Sequence, residues 1–320
     1  MASVLVQQAT HPSCFRTDRD GPGFEALCDD IERTDILVDQ ASRRGEIKDE
    51  NHTSRFDADK DKTKFRQYDT ASDRVKRFYL EQHTKQTVAY NLKARADFHY
   101  KTRAEMSVWE AIERLDSLID ESDPDTDLSQ IQHLLQSAEA MRRDGCPRWM
   151  QVTGLIHDLG KLLFFFDAQG QWDVVGDTFV VGCAFDDKII YGKNSFSANP
   201  DVHNPVYSTE NGIYHPGCGL ENVMISWGHD EYLYHVVKDQ SILPPEALAM
   251  IRYHSFYPWH QQGAYRKFMN EHDEQMLKAV KWFNPYDLYS KSDDKPCVEK
   301  LKPYYMELID EFFPNKVIKW

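Results

Sequence analysis

The chain has 320 residues, 41% hydrophobic and 12% aromatic, enough to bury a sizeable core in one large domain or two small ones. A formal net charge of −14 argues against a nucleic-acid polyanion or an anionic membrane surface as the main partner. Six scattered cysteines without a CxxC pair argue against a disulfide framework or a cysteine zinc site and fit reduced thiols in the cytosol.

Residues 1–60 are poor in large apolar side chains and crowded with Asp, Arg, Lys and Glu. This predicts a polar N-terminal extension, mobile or loosely attached, with one short amphipathic helix near residues 27–38. No basic-then-apolar leader pattern opens the chain, and the longest apolar run, LLFFF at 162–166, is too short for a bilayer. The expectation is a soluble, cytoplasmic protein. From Phe65 the pattern turns helical, with Ser72 and Asp73 as capping residues before Val75, Phe78, Tyr79 and Val88. In SVWEAIERLDSLID, Ser107 can cap, and Trp109, Ile112, Leu115 and Ile119 share a face. DLSQIQHLLQSAEAMRRDG and PRWMQVTGLIHDLGKLLFFF each read as a helix. Residues 167–222 read as a long irregular connection with a β-hairpin around WDVVGDTFVVGC. Helices resume in GLENVMISWGHDEYLYHVVKDQ, PPEALAMIRYHSFY and DEQMLKAVKWFNPYDLYSK. The predicted architecture is one mainly α domain from residue 61 to 320.

Within TGLIHDLGKLL (153–163), apolar residues cover more than one helix face and leave His157, Asp158 and Lys161 little access to water. Buried charges of this kind cost several kcal/mol or more unless they are paired or bind a metal. Imidazole and carboxylate together suit iron, manganese, zinc or magnesium, and a carboxylate can bridge two ions. Gly154 and Gly160 permit close helix approach. Further ligand types follow along the chain: His133 in SQIQHLLQ, His229 and His235 in WGHDEYLYH, His254 and His260 in RYHSFYPWH, and Asp287 in NPYDLYSK. Spacing alone does not choose within the two histidine pairs. The order H…HD…H…H…D resembles the HD-domain superfamily of helical metalloproteins.

Longer peptides narrow the resemblance. LIDESDPDTD (118–127), GLIHDLGK (154–161), VVGDTFVVGC (174–183), HPGCGLENVMISWGHDEYLY (215–234), MIRYHSFYPWH (250–260) and FNPYDLYSK (283–291) are similar to the myo-inositol oxygenase family, from about Phe65 to Trp320. The resemblance implies an HD-like helical bundle and a di-iron oxygenase that cleaves the C1–C6 bond of myo-inositol with O₂ to give D-glucuronate. It implies a mixed-valent Fe(II)/Fe(III) pair as cofactor and O₂ as co-substrate. One iron would be held by His133, His157, Asp158 and Asp287, the other by His229 and His254, with Asp158 bridging. It also selects His229 over His235 and His254 over His260. The implied inositol contacts are Arg66, Asp120, Glu121, Ser122, Lys161, Gly176, Asp177, His254, Ser255 and Lys291, with Lys161 and Asp158 closest to the chemistry. The implied partner is myo-inositol, for a monomer without nucleic-acid or membrane partners. The absence of GxGxxG and GxxxxGK[ST] motifs agrees with a reaction that needs no nucleotide reductant. The alternative is an HD-type metal-dependent phosphohydrolase; a third reading, a non-catalytic metal-binding protein, conflicts with so full a ligand set.

Overall fold

Side-chain caps set the helix starts. In the computed structural model, which describes residues 66–122, 129–166, 168–290 and 296–320, the Ser72 hydroxyl accepts the Val75 N–H and opens α1 (Asp73–Lys85). Thr87 accepts the Tyr90 N–H and opens α2 (Val88–Tyr100), so the long periodic run of residues 72–98 is two helices. Ser107 and Glu110 form a reciprocal capping box at α3 (Val108–Leu115). That helix stops at Leu115, and Ile119 lies beyond it at 72% exposure, off the expected apolar face.

α4 (Gln130–Arg143) and α5 (Arg148–Ile156) pack on each other, helped by Gly154, where a Cβ would lie 2.8 Å from Met141 Sδ. The PRWMQVTGLIHDLGKLLFFF segment is not one helix. α5 ends with His157 as its C-cap, and a 3₁₀ segment, Leu159–Phe165, follows from Asp158. The next α-helix, α6, spans His229–Val237; residues 223–228 before it are not helical. It packs against α7 (Pro245–Tyr253) and the 3₁₀ segment. A short helix α8 (Tyr257–His260) leads to α9 (Glu271–Tyr289), which packs on α7, α4 and α5, and α10 (Val298–Phe312) packs on α5.

The fold is mainly α, as expected. The expected hairpin at 172–183 does not form. Residues 171–173 make a 3₁₀ turn, and the apolar run turns at Gly176 (φ +89°). Its backbone pairs with residues 224–229: Val181 N–H donates to Met224 O, Ser226 N–H to Phe179 O and His229 N–H to Val174 O. With both faces buried, Val174, Val175, Val180 and Val181 have no solvent side to give a half-buried hairpin its alternation. The two-stranded sheet pairs Glu105–Met106 with Ile318–Lys319, antiparallel, near the C-terminus. No helix among the described residues is long and apolar enough to cross a membrane. The polar extension, the helix expected near residues 27–38 and Lys291 lie outside the described residues.

A buried ionic cluster ties α2, α6 and α7 together. Glu231, 2% exposed, accepts Arg252 Nε and Nη2 at 2.7 and 3.0 Å, and Arg95 Nη2 and His235 Nε2 lie 3.3 Å from its Oε1. Burial opposes its charge, but Arg252, His235 and Arg95 outweigh it and hold the carboxyl well below the ordinary glutamate range. Removing that charge strands two guanidinium groups, so Glu231→Gln should cost about 3 kcal/mol at neutral pH. A depressed carboxyl stabilises fully above its unfolded value and loses the contribution as pH falls. Thermal melts should therefore show a gap between wild type and variant that is large at pH 7 and narrows in acid.

Candidate metal centre

Helix ends converge on one carboxylate. His157 and His254 cap the C-termini of α5 and α7, His229 begins α6, His133 lies in the first turn of α4, and Asp287 lies near the end of α9. Asp158, 3% exposed, sits at the centre. Its Oδ1 lies 3.5 Å from His229 Nε2 and 3.6 Å from His254 Nε2. Its Oδ2 lies 3.5 Å from His133 Nε2 and 3.6 Å from His157 Nε2. The carboxylate thus divides four imidazoles into two pairs. Asp287 Oδ1 closes the first group, 3.1 Å from His133 Nε2 and 3.2 Å from His157 Nε2. In the second, His229 Nε2 and His254 Nε2 are 3.2 Å apart.

Backbone carbonyls fix three tautomers. His157 Nδ1 lies 2.8 Å from Gly154 O, His254 Nδ1 2.9 Å from Ile251 O, and His229 Nδ1 2.7 Å from Val174 O. A carbonyl only accepts, so each Nδ1 carries the proton and each Nε2 presents a lone pair to the centre. The first two carbonyls belong to the last turns of α5 and α7, where helix geometry leaves them unpaired. Acceptors facing acceptors this closely require positive charge between them. A proton is one source: burial disfavours a charged His157, but Asp158 and Asp287 outweigh it and push its pKa up to about 9. Metal ions answer the opposition at all four rings together. Ligand atoms about 3 Å apart are what metal–ligand bonds of about 2.0–2.2 Å leave between neighbouring donors. The donor set therefore fits two hard or borderline cations sharing Asp158.

Gly160 lets the segments that carry the two groups approach closely. A Cβ there would lie 2.0 Å from the His229 carbonyl oxygen, so only glycine lets the 3₁₀ segment meet the start of α6. Lys161, at i+3 in a 3₁₀ turn and not one α-turn on, donates to Asp158 Oδ2 at 2.8 Å and to Asp120 Oδ2 at 2.9 Å. Burial opposes its charge, but the two carboxylates raise its pKa well above the ordinary lysine value. Asp158 is held well below the ordinary carboxylate range despite burial, chiefly by Lys161 and His157.

Of the other expected contacts, Asp120 reaches the centre through Lys161, and Ser255 touches His229. Ser122 donates from its hydroxyl and backbone to Asp120 Oδ1 at 2.6 and 2.8 Å, and the exposed Glu121 gives its N–H to Gln171. Ser255 Oγ lies 3.3 Å from His229 Nε2. Arg66 Nη2 meets Asp177 Oδ2 at 2.5 Å, with its guanidinium 3.3 Å from the Tyr257 ring centroid. A cavity of about 250 Å³ opens onto this pair, lined in part by Tyr68, Tyr257, Gln261 and Tyr289. Gly176 precedes Asp177 at φ +89°, where a Cβ would lie 2.7 Å from the Phe78 ring.

His235 and His260 stand apart from the centre. His235 stacks on Trp227 and faces Glu231, and His260 Nε2 donates to the His254 carbonyl at 2.9 Å. Two neighbours escaped the sequence reading. Tyr257, beneath Arg66, gave no signal. Asp230 did, because WGHDEY repeats the His-Asp dipeptide of LIHDLG; its Oδ1 lies 2.6 Å from His229 Nε2.

A family model described as myo-inositol oxygenase matches residues 72–320. The chain is similar to inositol oxygenase 4 of Arabidopsis thaliana, 52% identical over 263 residues that cover 80% of this chain and 82% of the relative. It is similar to inositol oxygenase of Danio rerio, 47% identical over 266 residues covering 82% and 95%, and to that of Sus scrofa, 47% identical over 268 residues covering 82% and 94%.

Asp158→Ala removes the carboxylate that faces both imidazole pairs, so metal content should fall at both positions together. Elemental analysis of the desalted variant should find little bound metal. Retention of half the wild-type content would mean that the two groups bind independently.

Proposed function

Starting from a chain that belongs to the myo-inositol oxygenase family, we propose that it is a di-iron enzyme cleaving the C1–C6 bond of myo-inositol with O₂ to yield D-glucuronate. The observation that carries this reading is the Asp158 carboxylate between two imidazole pairs. In this reading His133, His157, Asp287 and Asp158 would hold one iron, and His229, His254 and Asp158 would hold the other. Bound there, the iron pair supplies Lewis acidity toward substrate hydroxyls and electrons to O₂.

The chain's own groups supply orientation and charge. Lys161 keeps its proton and is held by Asp120 and Asp158, so it donates to a substrate oxygen beside Asp158 and favours that oxygen's deprotonated form. Asp120, Ser122, Asp177, Ser255 and Arg66 supply acceptors and donors for the other hydroxyls of a neutral polyol. Lys291, Glu121 and Gly176 keep the role of substrate neighbours that the family resemblance implies. Pockets built from placed polar groups reject analogues lacking a hydroxyl more strongly than apolar pockets do.

Charge pairing disfavours the phosphohydrolase alternative. Lys161 faces two carboxylates and Arg66 faces Asp177, so neither offers surplus positive charge to a phosphate.

An oxygen electrode should record one O₂ consumed per inositol, and ¹⁸O₂ should place one labelled atom in the new carboxylate. Label from H₂¹⁸O alone with full anaerobic turnover would instead support hydrolysis. Lys161→Ala should bind iron like the wild type yet lose about 10²–10³-fold in turnover, the magnitude typical of a lost preorganised donor. Turnover within threefold of wild type would remove Lys161 from the reaction.

A further inference from the structure

We propose that two adjoining cavities beside Arg66 form a vestibule that receives the anionic product, a hexuronate, by its charge; the inference rests on the function read above. The first cavity, of about 250 Å³, has Arg66, Asp177, Lys188 and Tyr257 in its wall. The second, of about 440 Å³, lies against α8 and α9 and is lined by His260, Lys281 and Asn284. Gln261, Gln262 and Tyr289 line both, so the cavities are neighbours. Volumes of this order hold small-molecule ligands. The first cavity also adjoins the metal centre. Thr178, next to Asp177, donates its N–H to Ser255 O at 2.9 Å, and Ser255 Oγ lies 3.3 Å from His229 Nε2.

The charge of this lining runs against that of the chain. Arg66, Lys188 and Lys281 are its cations and Asp177 is its one carboxylate. Arg66 and Asp177 neutralise each other at 2.5 Å. Lys188 and Lys281 are exposed and make no ion pair among the described residues. Nearby, Asp187 is taken by Lys193 at 2.8 Å, and Asp186 accepts the Lys188 backbone N–H at 2.9 Å. Two ammonium groups are thus left uncompensated on a chain of net charge −14. Myo-inositol is neutral and gains nothing from them. Its cleavage product carries a carboxylate, ionised at neutral pH, and is attracted.

The uncharged groups suit a ligand rich in hydroxyls. His260 gives its Nε2 proton to the His254 carbonyl, so Nδ1 is an acceptor, and it has no hydrogen-bond partner. Gln261 donates to Asn284 Oδ1 at 2.9 Å, and Asn284 donates to Tyr257 Oη at 3.2 Å, which fixes both amides. The Gln262 side chain, common to both cavities, makes no hydrogen bond to a described residue. Lys188 and Lys281 line separate cavities. One carboxylate needs only one of them at a time, whereas tight phosphate binding needs donors that converge.

The test is calorimetric binding of D-glucuronate and of D-glucose to the metal-loaded full chain. D-glucose keeps the ring hydroxyls and lacks the charge. D-glucuronate should bind more tightly, and the difference should shrink in about 0.5 M NaCl. Lys188→Gln and Lys281→Gln should each weaken D-glucuronate about threefold, and the double variant about tenfold. Binding of D-glucose and the KM for myo-inositol should stay as in the wild type. Lys281→Arg, which keeps the charge, should bind D-glucuronate like the wild type. A carboxylate held only at the metal ions would be indifferent to both lysines, so unchanged D-glucuronate affinity in the double variant would overturn the proposal. An equal loss of D-glucose affinity would overturn it too, because charge would then not be what the vestibule reads. Failure of the wild type to form glucuronate from myo-inositol and O₂ would refute the function itself, whatever the binding results.

Discussion

One buried carboxylate, Asp158, sets the requirements for everything around it. Four imidazole nitrogens and an ammonium converge on its two oxygens, and almost none of it reaches water. Such a group cannot be accommodated by one partner, because desolvation and electron-pair repulsion grow with each acceptor added. The bundle must therefore deliver positive charge to its middle. The crossing of α4, α5, α6, α7 and α9 brings the imidazole- and carboxylate-bearing segments there together.

The same requirement accounts for the broken helices. A chain that passed through His157 and Lys161 as one α-helix would have no free carbonyls at that point. By ending α5 at His157 and α7 at His254, the chain exposes last-turn carbonyls that take the Nδ1 protons of those rings. Terminating the helix and choosing the tautomer are one hydrogen bond. His229 obtains the same result from Val174, whose carbonyl accepts both its backbone N–H and its Nδ1. The irregular segment around Val174 thus has a structural reason: it carries a backbone acceptor to the edge of an imidazole.

How much was legible in the sequence follows from which forces are local. The helical class and the caps at Ser72 and Ser107 were readable because they depend on residues three or four apart. His157 and Asp158 were readable as a centre because their surroundings are too apolar to hold bare charge. The choice of His229 over His235 and His254 over His260 was not readable from spacing. It depends on which group claims each ring: the Val174 and Ile251 carbonyls hold His229 and His254 toward Asp158, while Glu231 and the His254 carbonyl take His235 and His260, and only the family resemblance supplied it. The hairpin expectation failed because a run buried on both faces carries no alternation to separate a hairpin from an irregular core segment. The pairing of Arg66 with Tyr257 and Asp177 joins parts of the chain that no pattern links.

Gly160 gives the centre a property that its ligands alone would not. The 3₁₀ segment and the first residue of α6 touch main chain to main chain, with no side chain between them. Rotamer changes can move an imidazole by an ångström or more, but they cannot stretch a contact between two backbones. The distance between the chain segments that carry His157, Asp158 and His229 therefore works as a fixed gauge, insensitive to repacking elsewhere in the bundle. Drift in the surrounding core can tilt the individual rings while the two backbones stay in register. Moving these segments apart would mean rebuilding the main chain at this junction, not exchanging a side chain.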